Sequence, residues 1–200
     1  MNRSLDHLIA RCHILQVEPN IDYSQTLDSM LQQNGVASFR RVASCKAVNP
    51  RILNRRTDIL LLDHDVDFGA AGSLVRRIRR AETEADPFMA VFATQSTVSE
   101  STLEAEKSAG LDGILLKPFS LDSLFAHIGN IAHSERRFVN SRVYVGPDRR
   151  ESNRKDPRSV VYTVPNRLSL KLEDDIVADD VRKWRAFWLK KLAEPEYYDV

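Results

Sequence analysis

Between residues 13 and 131, short apolar runs alternate with stretches whose apolar residues recur every three or four positions. Ile14-Leu15-Gln16-Val17 has the pattern of a buried strand and is stopped by Glu18-Pro19-Asn20, a turn sequence. Asp22 then opens a helix with Leu27, Met30 and Leu31 on one face, and Gly35 stands where it should end. Residues 38–43 predict a second strand and residues 49–56 a brief polar helix. Ile59-Leu60-Leu61-Leu62 is apolar without alternation. A strand apolar on both faces belongs in the middle of a parallel sheet covered by helices. Leu74, Val75 and Ile78 mark a helix with Arg76, Arg77, Arg79 and Arg80 on its outer face. Residues 88–93 and Ile114-Leu115-Leu116 predict the fourth and fifth strands, separated by a helix that Gly110 ends. After Lys117-Pro118, Ser120 caps a helix with Leu121, Leu124, Phe125, Ile128 and Ile131 at helical spacing.

Five strands alternating with helices predict a doubly wound α/β fold, a five-stranded parallel sheet with right-handed crossovers. It would occupy residues 13–131, after an N-terminal extension of residues 1–12. In such sheets ligands bind at the carboxyl ends of the strands. Those ends carry Glu18, Asp63, Thr94 and Lys117, with Asp65 and Asp67 in the loop after Asp63.

Each of these residues alone has an ordinary structural explanation. An Asp after a strand is usually turn chemistry, and Lys-Pro is commonplace there. Together, in this order, they suit phosphoryl transfer to a carboxylate. Asp63 would be the nucleophile. A Mg²⁺ ion on the oxygens of Glu18, Asp63 and Asp65 would screen the repulsion between Asp63 and the incoming phosphate. Lys117 would neutralise a phosphoryl oxygen as a point charge, and Thr94 would donate a hydrogen bond to the new group.

On these residues the segment 13–131 resembles the receiver domain of bacterial response regulators, the CheY-like, flavodoxin-like fold. Leu61-Leu62-Asp63 resembles the strand leading to the phosphorylated Asp. Residues 72–79 resemble the helix behind it, and residues 109–119 the segment with the lysine and its typically cis proline. The resemblance implies a cytoplasmic phosphoprotein with Asp63 as acceptor, taking its phosphoryl group from a histidine kinase or phosphotransfer protein. It would signal through protein contacts and would not be an enzyme. Three positions depart from the pattern. Pro19 replaces the second of two adjacent acids, so Mg²⁺ binding should be weaker or completed by water. Asp67 replaces a proline four residues after the acceptor. Ile114 replaces an aromatic that usually switches orientation. These departures open the alternative of a pseudo-receiver scaffold that acts without phosphorylation.

Residues 132–174 read as a basic, mostly non-globular linker, with eight basic and four acidic residues between Ser134 and Val160. Gly146-Pro147-Asp148 is a turn signal; it begins a Gly-Pro-Asp-Arg-Arg motif that resembles one following receivers in some alphaproteobacterial regulators. Arg150-x-x-x-Arg154, with Arg149, resembles the arginine motif of PilZ domains, which bind cyclic di-GMP. Too little chain follows to build that barrel, and a solvated linker is the stronger reading. Residues 175–193 predict an amphipathic helix with Val177, Val181, Trp184, Phe187 and Trp188 on one face. Its stripe should dock on the receiver, on a second subunit to make a homodimer, or on an output protein. Val181, Trp184, Phe187 and Trp188 are therefore candidate partner-binding residues.

Composition refines this picture at the margins. Net charge is +1 over 200 residues, from 29 basic and 28 acidic side chains. The 14 basic and 16 acidic residues up to Ile131 sum to −2, leaving +3 for the rest. The surplus is local to the tail, which has no helix-turn-helix pattern, so no nucleic acid is expected. Cys12 and Cys45 lack metal-type spacing and suit a reducing cytosol. No segment reaches the roughly 18 apolar residues of a membrane span, and the N-terminus has no signal-peptide pattern.

Overall fold

The structure, a computed structural model, describes residues 3–67, 70–97, 99–149, 159–172 and 180–193. The five expected strands form one parallel sheet. They are β1 (His13–Val17), β2 (Ser38–Val42), β3 (Ile59–Asp63), β4 (Ala90–Gln95) and β5 (Gly113–Leu116), in the order β2-β1-β3-β4-β5. The helices α1 (Arg3–Ile9), α2 (Ile21–Gln33), α3 (Ala70–Arg79), α4 (Glu100–Ala109) and α5 (Leu121–Ala132) alternate with them.

The central strand β3 is buried along its whole length, as its unbroken apolar run requires. Its side chains alternate between two cores. Ile59 and Leu61 join Leu27, Leu31, Leu124, Phe125 and Ile128 of α2 and α5. Leu60 and Leu62 join Leu74, Val75 and Ile78 of α3. Each such side chain, fully buried, stabilises by about 1.5–3 kcal/mol. Asn20 accepts from the Tyr23 N–H and Ser120 from the Ser123 N–H, capping α2 and α5. These caps fix where β1 and β5 hand over to their helices.

Several expectations are corrected. Residues 49–56 are not helical; they form a turn-rich segment after a single 3-10 turn at Cys45–Ala47. Asn49 and Asn54 hydrogen bond there to nearby backbone, which competes with helix formation. The N-terminal extension is not an appendage, because Leu8 and Ile9 of α1 and Cys12 behind it are buried in the α2–α5 core. Arg79 is not on the outer face of α3 but is fully buried. Arg76, Arg77 and Arg80 are exposed.

The largest correction concerns residues 132–174. They contain β6 (Arg137–Ser141), β7 (Val145–Pro147) and β8 (Ser159–Thr163), an antiparallel sheet in the order β7-β6-β8, followed by α6 (Arg167–Leu172). Gly146-Pro147 is therefore edge strand rather than turn, a position where proline loses no ladder bond. Gly146 passes so close to the Gly110 Cα that a Cβ would lie 3.0 Å from it and 2.7 Å from the Tyr144 hydroxyl. Arg150 and Arg154 lie outside the described residues, as do positions 175–179 of the last helix. That helix, α7, is described over Asp180–Ala193.

Burial decides what the stripe on α7 does. Val181 and Trp188 are fully buried within the chain itself, which removes them as partner-binding residues. Trp188 packs edge-on against Phe88, Phe138 and Tyr162. Its Nε1 donates to the Arg79 carbonyl at 2.7 Å. Trp184 lies partly buried against the same cluster, and Phe187 remains 41% exposed.

Two buried ion clusters tie the C-terminal elements to the parallel sheet. Asp112 accepts from Arg79 at 2.9 Å and from Arg136, just before β6. Asp58, just before β3, accepts from Arg167 and from Lys171 at 2.7 Å, both on α6. Burial raises the affinity of each carboxylate for a proton. For Asp58 the hydrogen bond from His13 and the charges of Arg167 and Lys171 outweigh burial. For Asp112 the charges of Arg136 and Arg79 outweigh it. Both carboxyls are thereby held below their ordinary range. A depressed carboxyl contributes stability that is fully present above its unfolded value of about 3.9 and is lost as pH falls through the folded value. Acidification below about pH 4 is therefore expected to loosen the C-terminal elements, read as a change in Trp184 and Trp188 fluorescence. Fluorescence unchanged down to about pH 2 would contradict the role given to these clusters.

Candidate functional site

At the carboxyl edge of the sheet, β1, β3, β4 and the segment after β5 bring their terminal residues together. Lys117 Nζ donates to Glu18 Oε2 and to Asp63 Oδ2, bridging the two carboxylates. Asp63 is 6% exposed and Glu18 1%. Asp63 Oδ1 accepts from the Asp65 N–H at 2.9 Å, and Glu18 Oε1 from the Asn20 N–H at 3.0 Å. Burial disfavours the Lys117 charge, but the hydrogen bonds and charges of Asp63 and Glu18 outweigh it and raise its pKa above the ordinary lysine value. The ammonium is thus a fixed positive charge at neutral pH. The Lys117–Pro118 peptide is cis, as the resemblance implies.

Thr94 is in register with Asp63 on the neighbouring strand. Its Oγ1 is buried and has no hydrogen-bond partner among the described residues. A buried hydroxyl without a partner costs free energy, so a phosphoryl oxygen arriving at Asp63 would satisfy it.

Of the three expected metal ligands, only two converge. Glu18 and Asp63 meet at Lys117, whereas Asp65 is exposed. Among the described residues no three His, Cys, Asp or Glu side chains are grouped to hold a metal ion. Two hard carboxylates still fit a Mg²⁺ ion that keeps most of its waters and takes its remaining oxygens from a phosphate. Asp67 accepts from the Cys45 N–H at 2.8 Å and has φ of 51°; it braces the loop. Ile114 is partly buried against the α3 core.

Sequence reasoning missed three supports of the site. The Tyr23 ring lies 4.8 Å from Lys117 Nζ, a cation–π contact. Burial, and then the Glu18 and Asp63 charges, push its hydroxyl up to about 12, so it stays a neutral hydroxyl beside the acids. Arg41 donates to the carbonyls of Glu18 and Pro19 at 2.8 and 2.7 Å, holding the turn that presents Glu18. Asn20 both caps α2 and orients Glu18. The aromatic one turn into the helix after an acid-ended strand was the available signal for Tyr23.

No protein-family model and no curated protein matches this sequence. Solved structures do match. A two-component response regulator from Clostridium difficile is 21% identical, with a TM-score of 0.51, over 60% of this chain and 93% of that one. The chemotaxis protein CheY4 of Vibrio cholerae is 19% identical, also at 0.51, over 60% and 97%. The fold is that of a response-regulator receiver domain. A pilus assembly-related protein from Burkholderia pseudomallei shares it at 16% identity and 0.51, over 61% and 90%. The receiver-like unit from β1 to α5, residues 13–132, makes up 120 of the 200 residues, a share equal to the region these neighbours cover. α6, α7 and the β6–β8 sheet are additions beyond a unit of that size.

Proposed function

We propose that this receiver accepts a phosphoryl group on Asp63 and passes the signal on through protein contacts. The supporting observation is the lysine bridge beside a buried threonine hydroxyl that has no partner among the described residues: Lys117 on Asp63 and Glu18, with Thr94 in register. A carboxylate oxygen of Asp63 attacks phosphorus, and a P–O bond forms as the bond to the donor breaks. With a histidine kinase or phosphotransfer protein as donor, the leaving group is its imidazole. Lys117 shifts part of its charge from Asp63 to a phosphoryl oxygen, and Thr94 donates its hydroxyl to another. Mg²⁺ on Glu18 and Asp63 would supply screening of the incoming charge.

Incubation of the full chain with acetyl phosphate and Mg²⁺ is expected to add one phosphoryl group by intact mass. Asp63→Asn should abolish that addition, and Lys117→Met should reduce it strongly. Equal labelling of the Asp63→Asn variant would overturn the assignment.

Pro19 favours a second reading. It stands where a second acid would help hold the cation, and it is exposed. A scaffold that uses the fold without the chemistry would take no phosphoryl group at any Mg²⁺ concentration, and Asp63→Ala would leave its cellular phenotype intact.

A further inference from the structure

On the face of the sheet away from Asp63, α3 and α4 leave a hollow of about 360 Å³ between them. Strand alternation separates the two places. Asp63 shares a face of β3 with Ile59 and Leu61, whereas Leu62 turns toward α3 and forms part of the floor of the hollow.

The hollow exists because the side chains facing it are small. Ala71 and Gly72 on α3 stand across from Ala105 and Ala109 on α4, and Ala93 lies beneath them. Packed helices normally fill such a space with larger, interdigitating side chains. Leu62, Val75 and Leu111 also line it but belong to the packed α3 core, so none is free to swing across and fill it. An apolar wall facing a void forfeits its dispersion contacts, and an apolar group that entered would restore them.

Polarity in the described lining is confined to His64, Asp65 and Arg76. His64 already has a partner, and Asp65 is an exposed carboxylate. Arg76 is different. Its guanidinium folds back over Gly72, with Nη1 and Nη2 at 3.4 and 3.8 Å from where a Cβ would stand. It has no hydrogen-bond or ion-pair partner among the described residues. An arginine without a partner would extend its head into water, whereas this one lies along the small-residue wall. It thereby places a positive fork at the rim of an apolar hollow.

We propose that this hollow binds a small amphipathic anion, an apolar body of fused-ring or medium acyl size carrying one carboxylate. The body would lie between α3 and α4 and the carboxylate would pair with Arg76, whose fork matches its two oxygens. Asp65 repels an anionic head, which leaves Arg76 as its only favourable place among the described lining residues. The volume is near the lower end of small-molecule sites, roughly 300–1,000 Å³, which suits a compact ligand. Apolar walls offer few donors or acceptors for a sugar or a nucleobase. The hollow and Asp63 are on opposite faces of the sheet, so this proposal stands or falls separately from the phosphoryl-acceptor reading.

The test is a ligand-observed NMR titration of the full chain, without phosphoryl donor or Mg²⁺, using 2-naphthoate, decanoate and the uncharged 2-naphthamide as probes. Submillimolar binding of at least one carboxylate is expected. The amide should bind at least about threefold more weakly than 2-naphthoate, the size of an exposed ion pair. Arg76→Gln should lower 2-naphthoate to the level of the amide and leave the amide unchanged. Arg77→Gln, on the same helix but outside the hollow, should bind as the wild type does. Ala105→Leu should weaken both naphthyl probes at least about tenfold, because its added carbons take the space that the body needs. Melting temperatures check that each variant is folded. If Ala105→Leu is not, Gly72→Ala should weaken 2-naphthoate at least about twofold; its methyl would meet only Arg76 and Ala109, at 3.4 Å or more. Absence of binding by both carboxylates at millimolar concentration would overturn the proposal. So would equal losses in the Arg76 and Arg77 variants, or undiminished binding when the hollow is filled.

Discussion

Asp112→Ala is expected to destabilise the protein by about 3–5 kcal/mol, the cost of breaking a buried ion cluster from one side. Arg79 is fully buried and Arg136 is 7% exposed. Arg79 keeps its bonds to the carbonyls of Pro87, Met89 and Gly110, and Arg136 keeps those to Phe88 and Met89. Their donors therefore stay largely satisfied, but two buried positive charges lose their counter-charge. Asp112 Oδ2 also accepts from the Val91 N–H at 2.8 Å, so the β4–β5 connection loses a bond as well. At about 2–4 °C per kcal/mol for a chain of this size, the melting temperature should fall by about 6–20 °C. Asp112→Asn, which keeps an acceptor but not the charge, should fall part of the way. A shift of less than about 2 °C for the alanine variant would show that the cluster is not the anchor that its geometry implies.

Trp188→Ala is expected to cost a similar amount, about 3–5 kcal/mol, for a different reason. The indole fills the centre of an aromatic cluster assembled from Phe88 before β4, Phe138 on β6 and Tyr162 on β8. Its removal leaves a cavity and an Arg79 carbonyl without its donor. α7 should then be cut by protease well before the parallel sheet unfolds. Phe187→Ala, one residue away and 41% exposed, should stay within about 0.5 kcal/mol. The pair separates two roles for the helix. A stripe kept for an external partner would show unchanged stability in both variants and lost partner binding in both. A stripe spent inside the chain shows the asymmetry expected here.

The parallel sheet was legible because its signals are local. An apolar run with no alternation identifies a strand covered on both faces, and β3, with four apolar residues before Asp63, is buried in all five positions. Asp63, Thr94, Lys117 and Glu18 were legible because strand ends converge in this topology whatever the loops do. Asp65 was misplaced because its nearness in sequence to Asp63 does not direct its side chain into the site. Arg79 was misread because its identity argued for solvent while its spacing from Val75, four positions earlier, put it on the buried stripe; periodicity was the better guide.

The C-terminal sheet was illegible for a physical reason. β6 contributes only Phe138 and Val139 as apolar residues, and β7 is three residues containing glycine and proline. Neither carries a pattern strong enough to predict a strand. Their core comes from Ala81, Phe88 and Trp188, which lie some 50 residues to either side in the chain. The charges followed the same logic. Asp58 and Asp112 acquire their roles only where Arg167, Lys171 and Arg136 meet them from distant parts of the chain.

By itself, the sequence determined the receiver-like sheet and the residues at its carboxyl edge, because strand periodicity and strand order are written in neighbouring positions. Only the tertiary structure decided that the basic tail is part of the folded body and that Trp188 is an internal anchor. Those outcomes depend on burial and on charge pairs between residues far apart in the chain, and local pattern carries no record of either.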